Sequence, residues 1–337
     1  EIPLRLVGSE MCIRDRMKGE GEKTFAKLCE VYGKRSETSE LSLEQIDGIT
    51  FRCPDGTICE RPWRVPMDLS EVPFVYHDMK KFENKIIYYE TSRGCPFSCS
   101  YCLSSIDKRL RFRSLDLVFN ELQFFLDHKV PQVKFVDRTF NCNHRHSMAI
   151  WRYINEHDNG ITNFHFEIAA DILNEEEMGL LATFRPGLAQ LEIGVQSTNM
   201  QTIHEIDRMM DFDMVTQKVQ RVASAENIHQ HLDLIAGLPY ENLESFKKSF
   251  NDVYRLRPQQ FQLGFLKVLK GSKMHEKAGE YGIVYHTRPM YEVLSTNWLT
   301  YDEVIYLKGI EEMVEVYYNS CQFRCTMLAP VSYTHLT

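Results

Sequence analysis

Ile86-Ile87-Tyr88-Tyr89-Glu90 is followed, after Thr91-Ser92, by Arg93-Gly94-Cys95-Pro96-Phe97-Ser98-Cys99-Ser100-Tyr101-Cys102. The first stretch is a short apolar run of strand length, and the second carries three cysteines spaced C-x3-C-x2-C. Further runs recur at Val133–Val136, Phe164–Ala169, Leu191–Val195, His231–Ile235 and Phe261–Leu266. Helical stretches lie between them. Leu115, Val118, Leu122 and Phe125 form one apolar stripe, Met214, Val215, Val219 and Val222 another, and Phe246, Phe250 and Val253 a third. Asn174 with Glu177 forms a capping box ahead of a further helix. Strand–helix alternation predicts an α/β fold with a parallel sheet and right-handed crossovers. A full eight-unit barrel takes roughly 250 residues, so the segment 86–270 has room for about six units. The expectation is an open, partial (β/α)6 TIM-like barrel; a doubly wound sheet shares the same alternation. In either case ligands belong at the carboxyl ends of the strands.

The cysteine cluster sits in such a place. Thiolates suit iron–sulfur clusters and zinc. An iron–sulfur cluster with every iron protein-bound takes four cysteines, so three leave one iron of a 4Fe-4S cluster without a protein ligand. An open coordination position is what a catalytic metal needs. A zinc knuckle is the alternative, but it calls for a fourth Cys or His, and residues 90–110 contain no His.

Composition narrows the classes. The chain has 337 residues, 39 Lys+Arg against 47 Asp+Glu and a formal charge of -8, which argues against a general nucleic-acid binder. Hydrophobic residues at 43% are ordinary for a globular chain. No apolar run is long enough to span a membrane, and no signal peptide is visible. The 10 cysteines are bunched rather than spread, which reads as reduced thiols serving a metal in the cytoplasm.

The cysteine spacing, with an aromatic residue before the last cysteine, resembles the radical S-adenosylmethionine (SAM) superfamily, and the resemblance covers about residues 86–270. It implies an enzyme whose 4Fe-4S cluster, held by Cys95, Cys99 and Cys102, binds SAM and cleaves it reductively to a 5′-deoxyadenosyl radical. Tyr101 is the family's aromatic position. Asp137 and Thr139, past the second strand, match the contact to the SAM amino group, without the usual glycine-rich form. Glu167 on the third strand is placed to hold a polar end of SAM. Glu192-Ile193-Gly194-Val195-Gln196-Ser197 resembles the ribose-contacting stretch, with Glu192, Gln196 and Ser197 as candidates. Asp233-Leu234-Ile235-Ala236-Gly237-Leu238-Pro239 resembles the adenine-edge segment, with Ile235 and Gly237 as candidates, and Tyr240 stands where relatives often have glycine.

Residues 17–85 resemble the tail of a cobalamin-binding domain and its link onward. The carriers are Gly19-Glu20-Gly21-Glu22-Lys23-Thr24-Phe25, a hairpin over 49–61 about Pro54-Asp55-Gly56, and Leu69–Tyr76 within a Pro-containing linker over 62–83. The cobalt-ligating D-x-H-x-x-G stretch is absent, so this segment alone should not hold cobalamin. For the full-length protein the resemblance implies cobalamin binding, with methyl transfer as one of the activities open to such an enzyme. Residues 271–330 read as a helical C-terminal extension, opened by a Thr300/Glu303 capping box. Residues 1–16 and 331–337 resemble adapter read-through and are set aside as artefactual, which makes the chain a truncated fragment.

The remaining features carry weaker expectations. The basic run Asp107–Arg113 could dock an acidic electron donor such as a flavodoxin or ferredoxin, or be a solvated face. The substrate class, small molecule or peptide, is not written in these motifs. Cys321 and Cys325 are too few for a second cluster, Cys53 and Cys59 are structural, and Cys142 is a buried thiol near the site. His144 and His146 read as a polar helix start, and His229 and His231 as satisfied polar residues. The non-enzymatic alternative is a zinc or passive iron–sulfur module on the same three cysteines.

Overall fold

The computed structural model describes residues 15–33, 42–83, 85–323 and 325. The chain divides into two compact units at Pro73, twelve residues ahead of the 85/86 boundary drawn from the sequence. Residues 1–14 and 331–337 lie outside the described residues.

In the first unit, β1 (Asp15–Met17), β2 (Ile49–Arg52) and β3 (Ile58–Glu60) form an antiparallel sheet. The β2–β3 hairpin turns at Pro54-Asp55-Gly56, as expected, with the Asp55 carboxylate accepting from the Thr57 backbone at 2.9 Å. Arg16 pairs with Thr50, so the tail end of the stretch set aside as foreign is sheet. Helix α1 (Glu22–Gly33) follows the glycine-rich segment. Its Leu28 joins Ile46, Ile49 and Phe51 in a small separate core, while Phe25 on the same stripe stays exposed.

The second unit is built on β4 (Ile87–Tyr89), which continues into a short ribbon of β5 (Ser92–Arg93) and β6 (Arg111–Phe112). Helix α2 (Leu115–Asp127), β7 (Gln132–Phe135), α3 (His144–Glu156), β8 (Asn163–Ile168), α4 (Glu175–Leu181) and β9 (Ala189–Gln196) come next. Then follow α5 (Met200–Glu205), α6 (Phe212–Ala223), β10 (His229–Ala236), α7 (Leu243–Arg255) and β11 (Gln260–Phe265). The six long-sheet strands pair in parallel in the order β4-β7-β8-β9-β10-β11. A doubly wound sheet would reverse strand order at a switch point. Strictly sequential neighbours are the pattern of an open (β/α)6 barrel, which decides between the two readings.

Period-two alternation sorts the strands' faces. Phe164, Phe166, Leu191, Ile193, Leu232, Leu234, Phe261 and Leu263 point outward under the helices and are buried. The inward positions are polar instead, including Lys134, His165, Glu167, Glu192, His231 and Asp233. The capping boxes at Asn174/Glu177 and Thr300/Glu303 form as predicted.

Part of the stretch read as linker is not one. Phe74 packs edge-on against Phe124 of α2 at 5.3 Å, and the Tyr76 hydroxyl donates to the Tyr88 carbonyl at 2.5 Å. The residues after 270 belong to the same compact unit as the barrel. They comprise α8 (Lys273–Glu276), a ribbon of β12 (Val284–Tyr285) and β13 (Val293–Ser295), α9 (Tyr301–Met313) and a π-helical turn over Val314–Asn319. The Met274 backbone donates to Ser100 O at 2.9 Å, and Val293 N to Leu266 O at 2.9 Å. No described helix is long and apolar enough to cross a membrane.

Candidate active site

The β5–β6 ribbon closes the neck of a loop that carries all three motif cysteines. Inside it, Cys95 N donates to Asp107 O at 3.1 Å and Cys102 N to Cys99 O at 3.1 Å, while Ser100 N reaches Ile206 O at 2.8 Å. Gly94 has φ +97°, and a Cβ there would run into the Arg109 carbonyl. Only glycine lets the chain turn so tightly at the entry to the loop. Cys95 and Cys99 are buried and Cys102 is half-buried.

The donor set fits a cluster better than a single zinc. With Zn–S near 2.3 Å, thiolates sharing one tetrahedral ion stand about 3.8 Å apart. Among the described residues the three sulfurs do not form a group within 4.8 Å of one another. Three thiols with no His in residues 90–110 suit a cluster with one open iron rather than a closed zinc site.

Two groups attend the sulfurs. Thr139, past the end of β7, has its hydroxyl 3.6 Å from Cys95 Sγ while donating to Arg138 O at 2.8 Å. Arg208 is not marked by any motif in the sequence. Its Nη1 lies 3.8 Å from Cys99 Sγ and 3.3 Å from the Tyr101 hydroxyl, and its Nη2 donates to the Gly194 carbonyl. Burial pushes the Cys99 thiol up, and the Arg208 guanidinium opposes that. Burial also raises the Tyr101 phenol. An arginine in an irregular loop after α5 has no local pattern to announce it; only the fold brings it to the cysteines.

The other expected SAM contacts divide. Gln196 ends β9 at a bulge, where the pairing with β10 shifts register beside Asp233 and Leu234. Its φ of +71° turns the side chain back over Gly194, and its buried Oε1 has no hydrogen-bond partner. Glu167 and Ile235 face inward and are half-buried, and burial raises the Glu167 carboxyl, with Glu192 adding to the effect. Glu192 sits two residues below Gly194 on the inner face. His165 and Lys134 hold its carboxyl down at about 2 against the cost of burial, with Lys134 Nζ at 3.0 Å.

Three of the expected contacts are occupied by the protein itself. The Asp137 carboxylate is fully buried and accepts from Thr91 N at 3.0 Å, Thr91 Oγ1 at 2.7 Å and Ser92 Oγ at 2.5 Å. Its side chain ties the end of β4 to the end of β7. Ser197 is fully buried; its hydroxyl donates to Glu241 at 2.7 Å and accepts from Asn199 N at 3.0 Å. Its hydroxyl is thus engaged within the protein, with Ser249 Oγ also 3.5 Å away. Gly237 has φ +90°, and a Cβ there would sit 2.8 Å from Val293 Cγ1. The close approach it permits is to the C-terminal ribbon. Tyr240 has φ +61°, a conformation glycine adopts freely, and its ring lies 4.6 Å from that of Trp298.

The weaker expectations resolve similarly. His144 pairs with Glu177 at 2.9 Å and His146 with Thr91 Oγ1 at 3.1 Å, so the two diverge. Cys142 is half-buried, its thiol pushed up to about 11 by burial with Cys95 adding to it. The basic run is largely internal to the loop's neck: Arg111 pairs with Asp107 at 2.8 Å, and Arg113 donates to the buried Glu121 at 3.0 Å. Cys321 and Cys325 are exposed.

Residues 89–253 match the radical SAM superfamily, and residues 279–335 match a family described as a protein of unknown function, DUF4080. An uncharacterized methyltransferase, PH0819, of Pyrococcus horikoshii is 24% identical over 311 residues, 88% of this chain and 63% of the relative. The cobalamin-dependent radical SAM methyltransferase TokK of Streptomyces tokunonensis is 26% identical over 70% of this chain and 38% of its own. The chain thus spans only part of the length of these curated relatives. The solved structure of the radical SAM methyltransferase TsrM from Kitasatospora setae, with cobalamin and a [4Fe-4S] cluster bound, superposes with a TM-score of 0.64 at 17% identity. That superposition covers 81% of this chain and 55% of TsrM, and it supports the fold. With the cysteine loop at the carboxyl end of the first strand of an open six-unit barrel, residues 89–253 carry the motif in the place expected for the radical SAM superfamily that this segment matches.

Proposed function

We propose that this chain is the catalytic barrel of a radical SAM enzyme, in which Cys95, Cys99 and Cys102 hold a 4Fe-4S cluster and leave one iron for SAM. Once bound, such a cluster supplies one electron to cleave the sulfonium C–S bond of SAM, giving methionine and a 5′-deoxyadenosyl radical. The observation that carries the reading is the loop itself: three thiols on one βα connection at the carboxyl end of the first barrel strand, with a buried cation at their side.

The chain's own residues then have definite tasks. Arg208 offers its guanidinium to the carboxylate of the methionine moiety, for which a planar fork is well suited. The unpartnered Oε1 of Gln196 accepts from a ligand N–H or O–H. Ile235 supplies an apolar wall. The Asp137 tie and the Met274–Ser100 hydrogen bond hold the loop fixed and cover it, which excludes water from the reacting atoms.

Relatives named as cobalamin-dependent methyltransferases support methyl transfer by the whole protein, with the first unit as the remnant of a cobalamin domain. The residues of this chain do not fit a corrin site, since the D-x-H-x-x-G stretch is absent from it. The exposed Arg109 and Lys108 at the rim of the loop suit an acidic electron donor such as a flavodoxin or ferredoxin. The free thiols fit a reducing cytoplasm.

Anaerobic reconstitution with iron and sulfide tests the reading. The expected result is about four iron per chain, and 5′-deoxyadenosine on adding dithionite and SAM. Cys99→Ala abolishes cluster assembly and Cys142→Ala retains it. Zinc retained in place of iron, with no SAM cleavage, would refute the proposal.

A further inference from the structure

A layer below the cysteine loop, the barrel's inner face holds a second set of ligand-type side chains. Glu192 on β9 pairs directly across from His231 on β10, and Asp233 follows His231 on the same face. One ligand atom from each of the three lies within 4.8 Å of the others. Glu192 lies four residues before Gln196, roughly 13 Å along the strand, and Asp233 borders the bulge.

Within this set the ion pairs leave polar atoms without a directed hydrogen bond. His231 Nε2 and Asp233 Oδ1 are 2.9 Å apart, yet both are buried atoms without a hydrogen-bond partner. A separation of this size is also that of two ligands on one shared ion. The His231 side chain is 7% exposed. His165, 9% exposed, pairs in the same way with Glu192 Oε2 at 2.9 Å, and its Nε2 too lacks a directed hydrogen bond. Lys134 also contacts Glu192 Oε2, at 3.0 Å, and Glu192 has a second oxygen besides. Buried orphan polar atoms are rare in folded proteins and commonly mark an ion or a water. Three histidine nitrogens on this face share the condition, with His229 Nε2 the third.

We infer that Glu192, His231 and Asp233 form a divalent cation site, separate from the cysteine loop, for a first-row ion of the zinc–manganese class. Imidazole with two carboxylates is a borderline-to-hard donor set that suits these ions and excludes the soft preference of the thiolates above. His-x-Asp on one strand and Glu on its neighbour supply three ligands from a rigid frame. Three protein ligands leave a further position open to the barrel interior, where an oxygen donor of a bound molecule completes the shell.

The test separates this site from the cysteines. The chain with Cys95, Cys99 and Cys102 all changed to Ser is stripped of metal with a chelator and titrated with manganese(II). Free ion is followed by electron paramagnetic resonance. One ion per chain should bind saturably, and the apparent melting temperature should rise with it. His231→Gln and Asp233→Asn should each weaken binding at least about tenfold and abolish the rise in melting temperature. Their far-ultraviolet circular dichroism without metal should match the parent. Zinc loaded into the parent should show an X-ray absorption edge with nitrogen and oxygen neighbours and no sulfur. Absence of saturable binding in the parent, or unchanged affinity in a folded Asp233→Asn variant, overturns the inference. Neither result bears on the radical SAM reading, because the cluster's cysteines are absent throughout.

Discussion

Asp137 and His146 show how much rests on single residues. Thr91 Oγ1 donates to Asp137 and so accepts from His146 Nε2, which fixes that imidazole as the Nε2–H tautomer. Burial raises Asp137 from 3.8 to about 6 and lowers His146 from 6.5 to about 4. The signs oppose each other. Between about pH 4 and 6 the folded chain holds more of the Asp137 proton than the unfolded chain does, so this group's contribution to stability falls as pH rises. Over pH 4 to 6.5 the unfolded chain holds more of the His146 proton, so that contribution rises with pH. Each slope amounts to about 1.4 kcal/mol per pH unit within its window, and in the wild type they nearly cancel. Urea titrations from pH 4.5 to 7 expose them singly. Relative to wild type, His146→Gln should become more stable as pH falls, and Asp137→Asn should become less stable as pH falls. Differences that slope the same way would show that the two groups do not titrate in this manner. Asp137→Asn should also lose roughly 2–4 kcal/mol near neutral pH, because an amide presents two N–H groups to three donors.

At the scale of elements, the loop after α5 ties the cysteine loop to the end of β9. Arg208 spans the junction, touching Gly194 O, Tyr101 and Cys99 with one planar group. Arg208→Lys keeps the charge and loses the fork. Reconstituted protein carrying it should retain its iron. Equilibrium dialysis should show SAM bound about tenfold more weakly, because a lysine ammonium cannot reproduce the bidentate grip on a carboxylate. Unchanged SAM affinity would reduce Arg208 to a strut between the loops. This junction also marks the limit of what could be read in advance. All six barrel strands were legible, because outward Phe, Leu, Ile and Val at every second position announce a strand buried under helices. The cysteine loop was legible because its chemistry is local in sequence. Arg208, the Ser197–Glu241 contact and the approach of Val293 to Gly237 join residues 44 or more positions apart or lie in irregular chain, where no period exists to be read. The same holds for Asp137, whose partners Thr91 and Ser92 lie on a neighbouring strand end.

At the scale of the whole molecule, the two units differ in what holds them. The second encloses one continuous core that runs from Ile87 to Val314. Among the described residues of the first, one core cluster of four buried apolar side chains, Leu28, Ile46, Ile49 and Phe51, packs on a three-stranded sheet, with Met67 and Leu69 buried apart from it. Each such side chain contributes about 1.5–3 kcal/mol when buried, and small cores leave little margin over chain entropy. Local opening should therefore be far easier in the first unit. Hydrogen exchange followed by mass spectrometry on the intact chain reads this directly. The amides of Ile49–Phe51 should exchange at least about 100-fold faster than those of Leu191–Val195, which corresponds to a gap of about 3 kcal/mol in opening free energy. Both segments are central in their sheets, so edge exposure does not explain a difference between them. Equal protection would mean that the first unit does not depend on its own four-residue core, and the account of it as an independently held unit would fail.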